Sequence, residues 1–301
     1  MQRMDTYRYL ASALALGAMA VWASENLFWV TPAADLTVVE WGLTIGVYTL
    51  AAATALSAIA LTGFSGLSAA FLGGAILGYL VEGAIVGTIY EAVPFQLVWT
   101  PLAWHALISG GVVLGLGRCS AQFGPLKMAL LWLALGLFGG GWALFWPTER
   151  ADLSGIAPLM LYLGGLGVVV PLAHLGLDKI GSVPRPPRWV LAIAPAVVML
   201  SWAVQTAISF NPLRLILLPI LTGLYWIMCR LGTDQPVSFG TPATRLWHHG
   251  LFFIAPFTTA LIAAVGWATI GGVLTNIPVA VISGTTALGW LGTLVWRAVR
   301  R

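Results

Sequence analysis

Charge is what this chain most lacks. Only 8% of its 301 residues are charged, against roughly a quarter in an ordinary soluble domain. A water-soluble fold of this size needs a polar surface that so few charges cannot cover, which excludes a soluble enzyme. Cysteine is almost absent too. Cys119 and Cys229 each stand beside an arginine, and no CxxC or Cys/His spacing accompanies them, so a zinc module and a disulfide framework are both excluded. Free thiols are expected. The four histidines include no HExxH pair, and no metal site is expected. The fourteen Lys and Arg come in ones and twos, without the basic stripe that tracks a phosphate backbone, so no nucleic-acid partner is expected.

What fills the chain instead is apolar. Hydrophobic residues make up 59% of it, with fifteen Trp and thirty-five Gly, and the mean hydropathy is +0.92. Disorder is excluded by that content. A bilayer-crossing helix takes about 20 mostly apolar residues. Ten such runs lie near 8–30, 38–62, 66–90, 98–117, 127–146, 157–177, 189–210, 213–230, 247–269 and 274–296. Turn chemistry separates them: Thr31-Pro32, Gly63 to Gly66, Pro94, Pro147, the Pro184/Pro186/Pro187 cluster, Asn211-Pro212 and Gly271-Gly272. The runs are too long for lipid-facing strands and lack their alternation. The expected fold is all-α, a polytopic integral membrane bundle forming one transmembrane domain over 1–301, with the lipid bilayer as its surroundings. Ala18-Met19-Ala20 after Arg3 and Arg8 resembles a signal-peptide cleavage site. The apolar run continues through Leu27, Phe28, Trp29 and Val30, so a retained first helix is expected.

The charges orient this bundle. With the N-terminus inside, twelve of the fourteen basic residues fall on the cytoplasmic side, leaving Arg150 and Arg214 outside. The positive-inside rule therefore places both termini in the cytoplasm, with a bacterial inner membrane as the expected location. Seven of the ten acids fall in the outer half: Glu25, Asp35, Glu40, Glu82, Glu91, Glu149 and Asp152. Acids contribute little to orientation, so their bias needs another cause. A division near 147–156 would give two five-helix halves, 1–150 and 151–301, running in opposite directions as in inverted-repeat transporters. The halves show no convincing sequence similarity.

Glu82 is the most informative residue. It lies about two-thirds of the way along the third run, where a carboxylate costs roughly 2.5–3.5 kcal/mol at the helix centre and so faces protein or a watery cavity. Gly74, Gly78 and Glu82 share one helix face, and small residues at that spacing allow close packing. Glu25 and Asn26 sit in the outer third of the first run, Glu40 opens the second and Glu91 closes the third. His105 lies about one turn inside the fourth, beside Trp104 and four residues before Ser109. Arg214 is the nearby cation from the second half. The competing reading makes Glu40, Glu91 and Asp35 solvated helix ends, His105 a structural histidine, and Glu82 a partner of Arg214 or His105.

Desolvation disfavours a charged carboxylate, so such a group can exchange protons near neutral pH. Beside a histidine it forms a proton relay or a cation site. Other polar groups read as structural. His248-His249 reads as an interfacial anchor, since neighbours on a helix point about 100° apart. His174 and Asp178 read as a helix-end hydrogen bond. Gly139-Gly140-Gly141 reads as close packing or a kink. Trp22, Trp29, Trp41, Trp99, Trp146 and Trp189 read as an interfacial belt.

Three functions follow. A proton-coupled small-solute transporter fits the ten runs and the intramembrane acid, although the second half is expected to contribute no such acid. A membrane-embedded enzyme acting on a lipid or isoprenoid from the outer side fits the one-sided cluster, with Trp104 and Trp22 lining an apolar pocket. A non-catalytic subunit or assembly factor docking a protein partner fits the lack of any extramembrane domain. The cofactor is left unknown, because no motif specifies one.

Overall fold

A computed structural model describes residues 2–301 except 33–36, 151–154, 235, 241, 243 and 244. No strand occurs among the described residues. Among the described residues, ten helices are long and apolar enough to cross a membrane: α1 (Arg3–Trp29), α2 (Val38–Thr62), α3 (Gly66–Val86), α4 (Phe95–Phe123), α5 (Pro125–Thr148), α6 (Ile156–Ile180), α7 (Arg188–Ile208), α8 (Pro212–Leu231), α9 (Leu246–Thr269) and α10 (Asn276–Val299). The chain is thus compatible with a multi-pass membrane protein. The ten runs read from the sequence match these helices to within a few residues, except that α1 starts earlier and α4 extends at both ends.

Local chemistry sets several of these boundaries. The Thr37 hydroxyl accepts from the Glu40 amide, and the Glu40 carboxylate accepts from the Thr37 amide at 2.7 Å, a reciprocal cap that starts α2. Gly63, at φ 68°, ends it, a conformation that suits glycine. Its site is doubly restricted, because an added Cβ would lie 1.8 Å from the Thr233 carbonyl oxygen. Pro125 opens α5, where its missing N–H loses no helical hydrogen bond.

Hydrogen bonds gather the ends of several helices at one face with both termini. Arg8 donates to the Ile180 carbonyl, and Arg230 Nε donates to the Ala298 carbonyl at 3.2 Å. The segment before α9 folds back between them: Gly66 N donates to Ser238 O and Val183 N to Val237 O, both at 2.8 Å. Phe239, 5% exposed, is thereby held inside the bundle. We call this end the termini face and the other the opposite face.

Burial is densest in α3 and α4, and α7, α8 and α10 are the least covered. Across the division near 150, α1 packs on α6, α2 and α3 each pack on α7 and α8, α4 packs on α10, and α5 packs on α9 and α10. Exchanging each helix with the one five places along maps this set of pairings onto itself. Within each half the packing differs: α3 lies tightly against α4 and α1 against α2. Gly139 and Gly140 of the triple-glycine run meet Thr259 and Ile262 of α9, close packing rather than a phosphate loop.

Candidate functional site

Three helices that carry polar side chains are locally widened. π-helical turns span Trp22–Asn26 in α1, Leu80–Val86 in α3 and Trp99–Leu116 in α4. Such turns re-aim side chains and loosen the backbone ladder, and they recur at functional sites. Glu25, Glu82 and His105 each lie on one of them. The loosened ladder leaves the Ala23 carbonyl for Trp104 Nε1, which donates to it at 2.8 Å, and the end of α1 leaves the Phe28 carbonyl for Trp142 Nε1 at 2.7 Å. Trp104 also packs edge-on against Phe28 with ring centroids 4.7 Å apart. It is therefore a buried brace between α4 and α1.

Glu82 and His105 are brought together. Glu82 Oε1 lies 3.1 Å from His105 Nε2, with the histidine side chain 2% and the glutamate side chain 14% exposed. The close approach of α3 and α4 makes this contact. A Cβ on Gly74 would stand 2.6 Å from the His105 carbonyl oxygen, and one on Gly78 would stand 2.7 Å from His105 Cβ. Gly87, at φ 98°, turns the chain after α3 and returns the Thr88 hydroxyl to Glu82 Oε2, to which it donates. Just beyond, burial pushes the Tyr90 phenol up from its ordinary value, and its neutral hydroxyl donates to Gly83 O at 2.9 Å.

A second pair stands beside the first. The Tyr48 hydroxyl donates to Glu25 Oε1 at 2.5 Å, and Ser24 Oγ donates to Tyr48 at 3.2 Å. The Tyr48 and His105 rings lie 5.9 Å apart, so α2 links the acid of α1 to the acid–imidazole pair of α3 and α4. Glu25 Oε2 also accepts from Trp29 Nε1 at 3.2 Å. Asn26 is buried, and its amide nitrogen has no partner among the described residues.

The other sequence candidates lie apart. Glu40 is exposed and caps its own helix, and Glu91 is exposed in the turn after α3. Arg214 sits over the Tyr90 ring at 5.5 Å and donates to Gln205 Oε1 at 3.4 Å, so the partner of Glu82 is His105 and not Arg214. Asp35 and Asp152 lie outside the described residues.

Beneath His105 lies a cavity of about 40 Å³, lined mainly by apolar residues of α1–α4 together with Ser109 and Phe239. His105 Nδ1 and Ser109 Oγ are buried without a protein hydrogen bond. Roughly two or three water molecules fill such a volume.

Two structural readings are corrected near the termini face. His248 and His249 are 3% and 1% exposed, so they are not interfacial anchors. Asp178 does not pair with His174 along α6. It lies 3.0 Å from the Arg118 guanidinium and 2.7 Å from His249 Nε2, while His174 stacks on His249 with centroids 5.3 Å apart. The second half therefore does bury an acid within one of its long apolar helices. Arg118, 2% exposed, was read only as an orientation signal, and Tyr48 and Thr88 were missed. Arg118 and Tyr48 meet partners from other helices, which no spacing reveals, and Thr88 returns to Glu82 six residues back across the Gly87 turn.

Comparison of the chain with protein-family models, with curated proteins and with solved structures finds no match. Among the described residues, no group of three or more His, Cys, Asp or Glu could hold a metal ion. Ten apolar helices around buried acid–imidazole pairs define the class to which the site belongs: a helical bundle compatible with a multi-pass membrane protein, with ionisable groups buried between its apolar helices.

Proposed function

We propose that this chain is a proton-coupled small-solute transporter of a bacterial cytoplasmic membrane, with the termini face toward the cytoplasm. The observation that carries this reading is the Glu82–His105 pair, closed at 3.1 Å between two tightly packed helices. An acid inside the apolar layer is held there because it does chemistry. Glu82 Oε1 and His105 Nε2 share one proton, and Glu25 and Tyr48 extend the polar region toward the opposite face. Trp104 ties α4 to α1 beside the pair, while Glu40, Glu91 and Arg214 stand apart from it. The exchange pattern of contacts between the halves supports transport, because it is what an inverted repeat gives, while the Glu82–His105 pair itself lies within the first half.

Action on a lipid or isoprenoid finds less support. The cavity beside His105, about 40 Å³, has room for water and not for a prenyl tail.

The test is proton movement in proteoliposomes loaded with a pH-sensitive dye and challenged with fractions of a soluble metabolite extract. A fraction that acidifies or alkalinises the lumen identifies the solute class. Glu82→Gln is expected to abolish that response. An unchanged response in Glu82→Gln removes the pair from the mechanism, and conversion of a lipid in detergent, with no gradient, would favour the enzyme.

A further inference from the structure

Exchange of the halves relates more than helix packing. Helices α1 and α6 are exchange partners, and Glu25 and Asp178 stand near their final turns. Helices α4 and α9 are also partners. Each contains an irregular stretch, Trp99–Leu116 in α4 and Leu246–Phe253 in α9. The dipeptide Trp-His occurs twice in the chain, as Trp104-His105 and Trp247-His248, once in each partner. The exchange reverses chain direction, so the first set falls toward the opposite face and the second toward the termini face. Both sets hold a buried carboxylate against an imidazole, Glu82 on His105 at 3.1 Å and Asp178 on His249 at 2.7 Å. The correspondence is partial: α8 has no acid matching Glu82, the histidine aligned with His105 is His248 whereas Asp178 pairs with His249, Glu25 is held by Tyr48, and Arg118 of α4 joins Asp178.

We propose that Arg118, Asp178 and His249 form a second proton-binding gate, the pseudo-symmetric counterpart of the Glu82–His105 pair, and that the two gates open alternately onto the cavity between them. This rests on the transport reading above. The ionisable groups around Asp178 include Arg118 from α4, His174 from α6 and His249 from α9, with Cys119 beside Arg118 and His248 buried at the adjoining position. The cavity reaches toward both gates. His105 lines it on one side, and Phe239 lines it on the other. Phe239 also lines a small crevice with Arg118 and Ser12. A gate that brings α4, α6 and α9 together spans both halves, so relative movement of the halves must break it.

The test reads accessibility, not flux. Cys119 and Cys229 are replaced by serine, and Ser109→Cys places one thiol in the cavity wall. Membrane vesicles of both orientations, sorted by a C-terminal tag, are treated with a membrane-impermeant methanethiosulfonate bearing a quaternary ammonium. In Asp178→Asn the thiol is expected to react faster from the termini face by about ten-fold, and in Glu82→Ala faster from the opposite face, as a released constriction admits water. Asp178→Asn leaves a buried guanidinium unpaired and could unfold the chain, so Arg118→Met with Asp178→Leu is measured beside it. Ala143→Cys, buried away from the cavity, reports unfolding and must stay unreactive. Reaction from the same face in the Glu82 and Asp178 variants, or no change in the double variant, overturns the gate. Sided accessibility without solute-driven proton movement would keep the gates and sink the solute reading. The reverse result would keep transport and sink the pairing.

Discussion

Asp178→Ala tests the energetics of the cluster at the termini face. The Arg118 side chain is 2% exposed, and its guanidinium lies 3.0 Å from Asp178. Alanine leaves that charge desolvated with its nearest carboxylate gone, and it removes the 2.7 Å partner of His249. Removing one member of a buried ion pair costs about 3–5 kcal/mol, mostly because the remaining charge cannot return to water. Arg118→Met combined with Asp178→Leu removes both charges and keeps most of the volume. Its cost reduces to the lost histidine hydrogen bond, about 1–2 kcal/mol. In a chain of this length 1 kcal/mol corresponds to roughly 2–3 °C of melting temperature. The single variant should therefore melt about 6–15 °C lower and the double about 2–6 °C lower.

The measurement is thermal unfolding of purified protein in one detergent, followed by tryptophan emission, for the parent, both single variants and the double. The double variant is expected to be more stable than Asp178→Ala, although it carries one more substitution. Equal losses in the two would show that Arg118 reaches water without Asp178, and the reasoning from a desolvated pair would fail.

Gly74→Ala should push α3 from α4, since its Cβ would meet the His105 carbonyl at 2.6 Å. A cost of about 1–3 kcal/mol is expected, measured by melting and accompanied by weakened proton coupling. The triple-glycine run gives an internal contrast. Gly140→Ala would place a methyl 2.7 Å from Ile262 Cβ and destabilise, whereas Gly141→Ala meets nothing within 4 Å and should stabilise by up to about 1 kcal/mol in the same melting assay. Trp104→Phe keeps a ring against Phe28 but strands the Ala23 carbonyl, a loss of about 1 kcal/mol that unfolding in detergent would read. Tyr48→Phe detaches the hydroxyl from Glu25 while leaving its ring beside His105. A stability loss of about 1–2 kcal/mol with slowed proton movement is expected, and full activity would take Tyr48 out of the relay.

The helices were legible because a bilayer-crossing run is a local property of about 20 residues, and proline and glycine mark its ends. The depth of Glu82 and its glycine face were legible for the same reason, since depth and helical phase come from one segment. Partners were not. Tyr48 reads as an ordinary aromatic of an apolar run, and only the packing of α2 against α1 and α3 sets it between Glu25 and His105. His249 was misplaced because its nearest sequence neighbour of note is His248, while its partner, Asp178, arrives from α6. Arg118 reads as an orientation signal because a basic residue after an apolar run normally lies outside the membrane. Here α4 extends to Phe123, so the arginine falls within the helix and must be paired.

The bias of acids toward the opposite face now divides into two causes. Glu40, Glu91 and Glu149 are exposed, and Glu40 fulfils a helix-capping role that needs no site. Glu25 and Glu82 are different, since each sits on a π-helical turn and each carboxylate is held by a side chain from another segment. The same separation applies to the basic residues. Arg230 donates to the Ala298 carbonyl at a helix end, whereas Arg118 is buried against a carboxylate. Burying ionised groups is unfavourable unless each is matched, and ordinary helix packing would be served better by apolar side chains. The two carboxylate–imidazole pairs lie toward opposite faces, and exchange-related helices α4 and α9 carry their histidines, while the acids come from α3 and α6. Under the proposed transport reading, one pair would hold a proton toward each face.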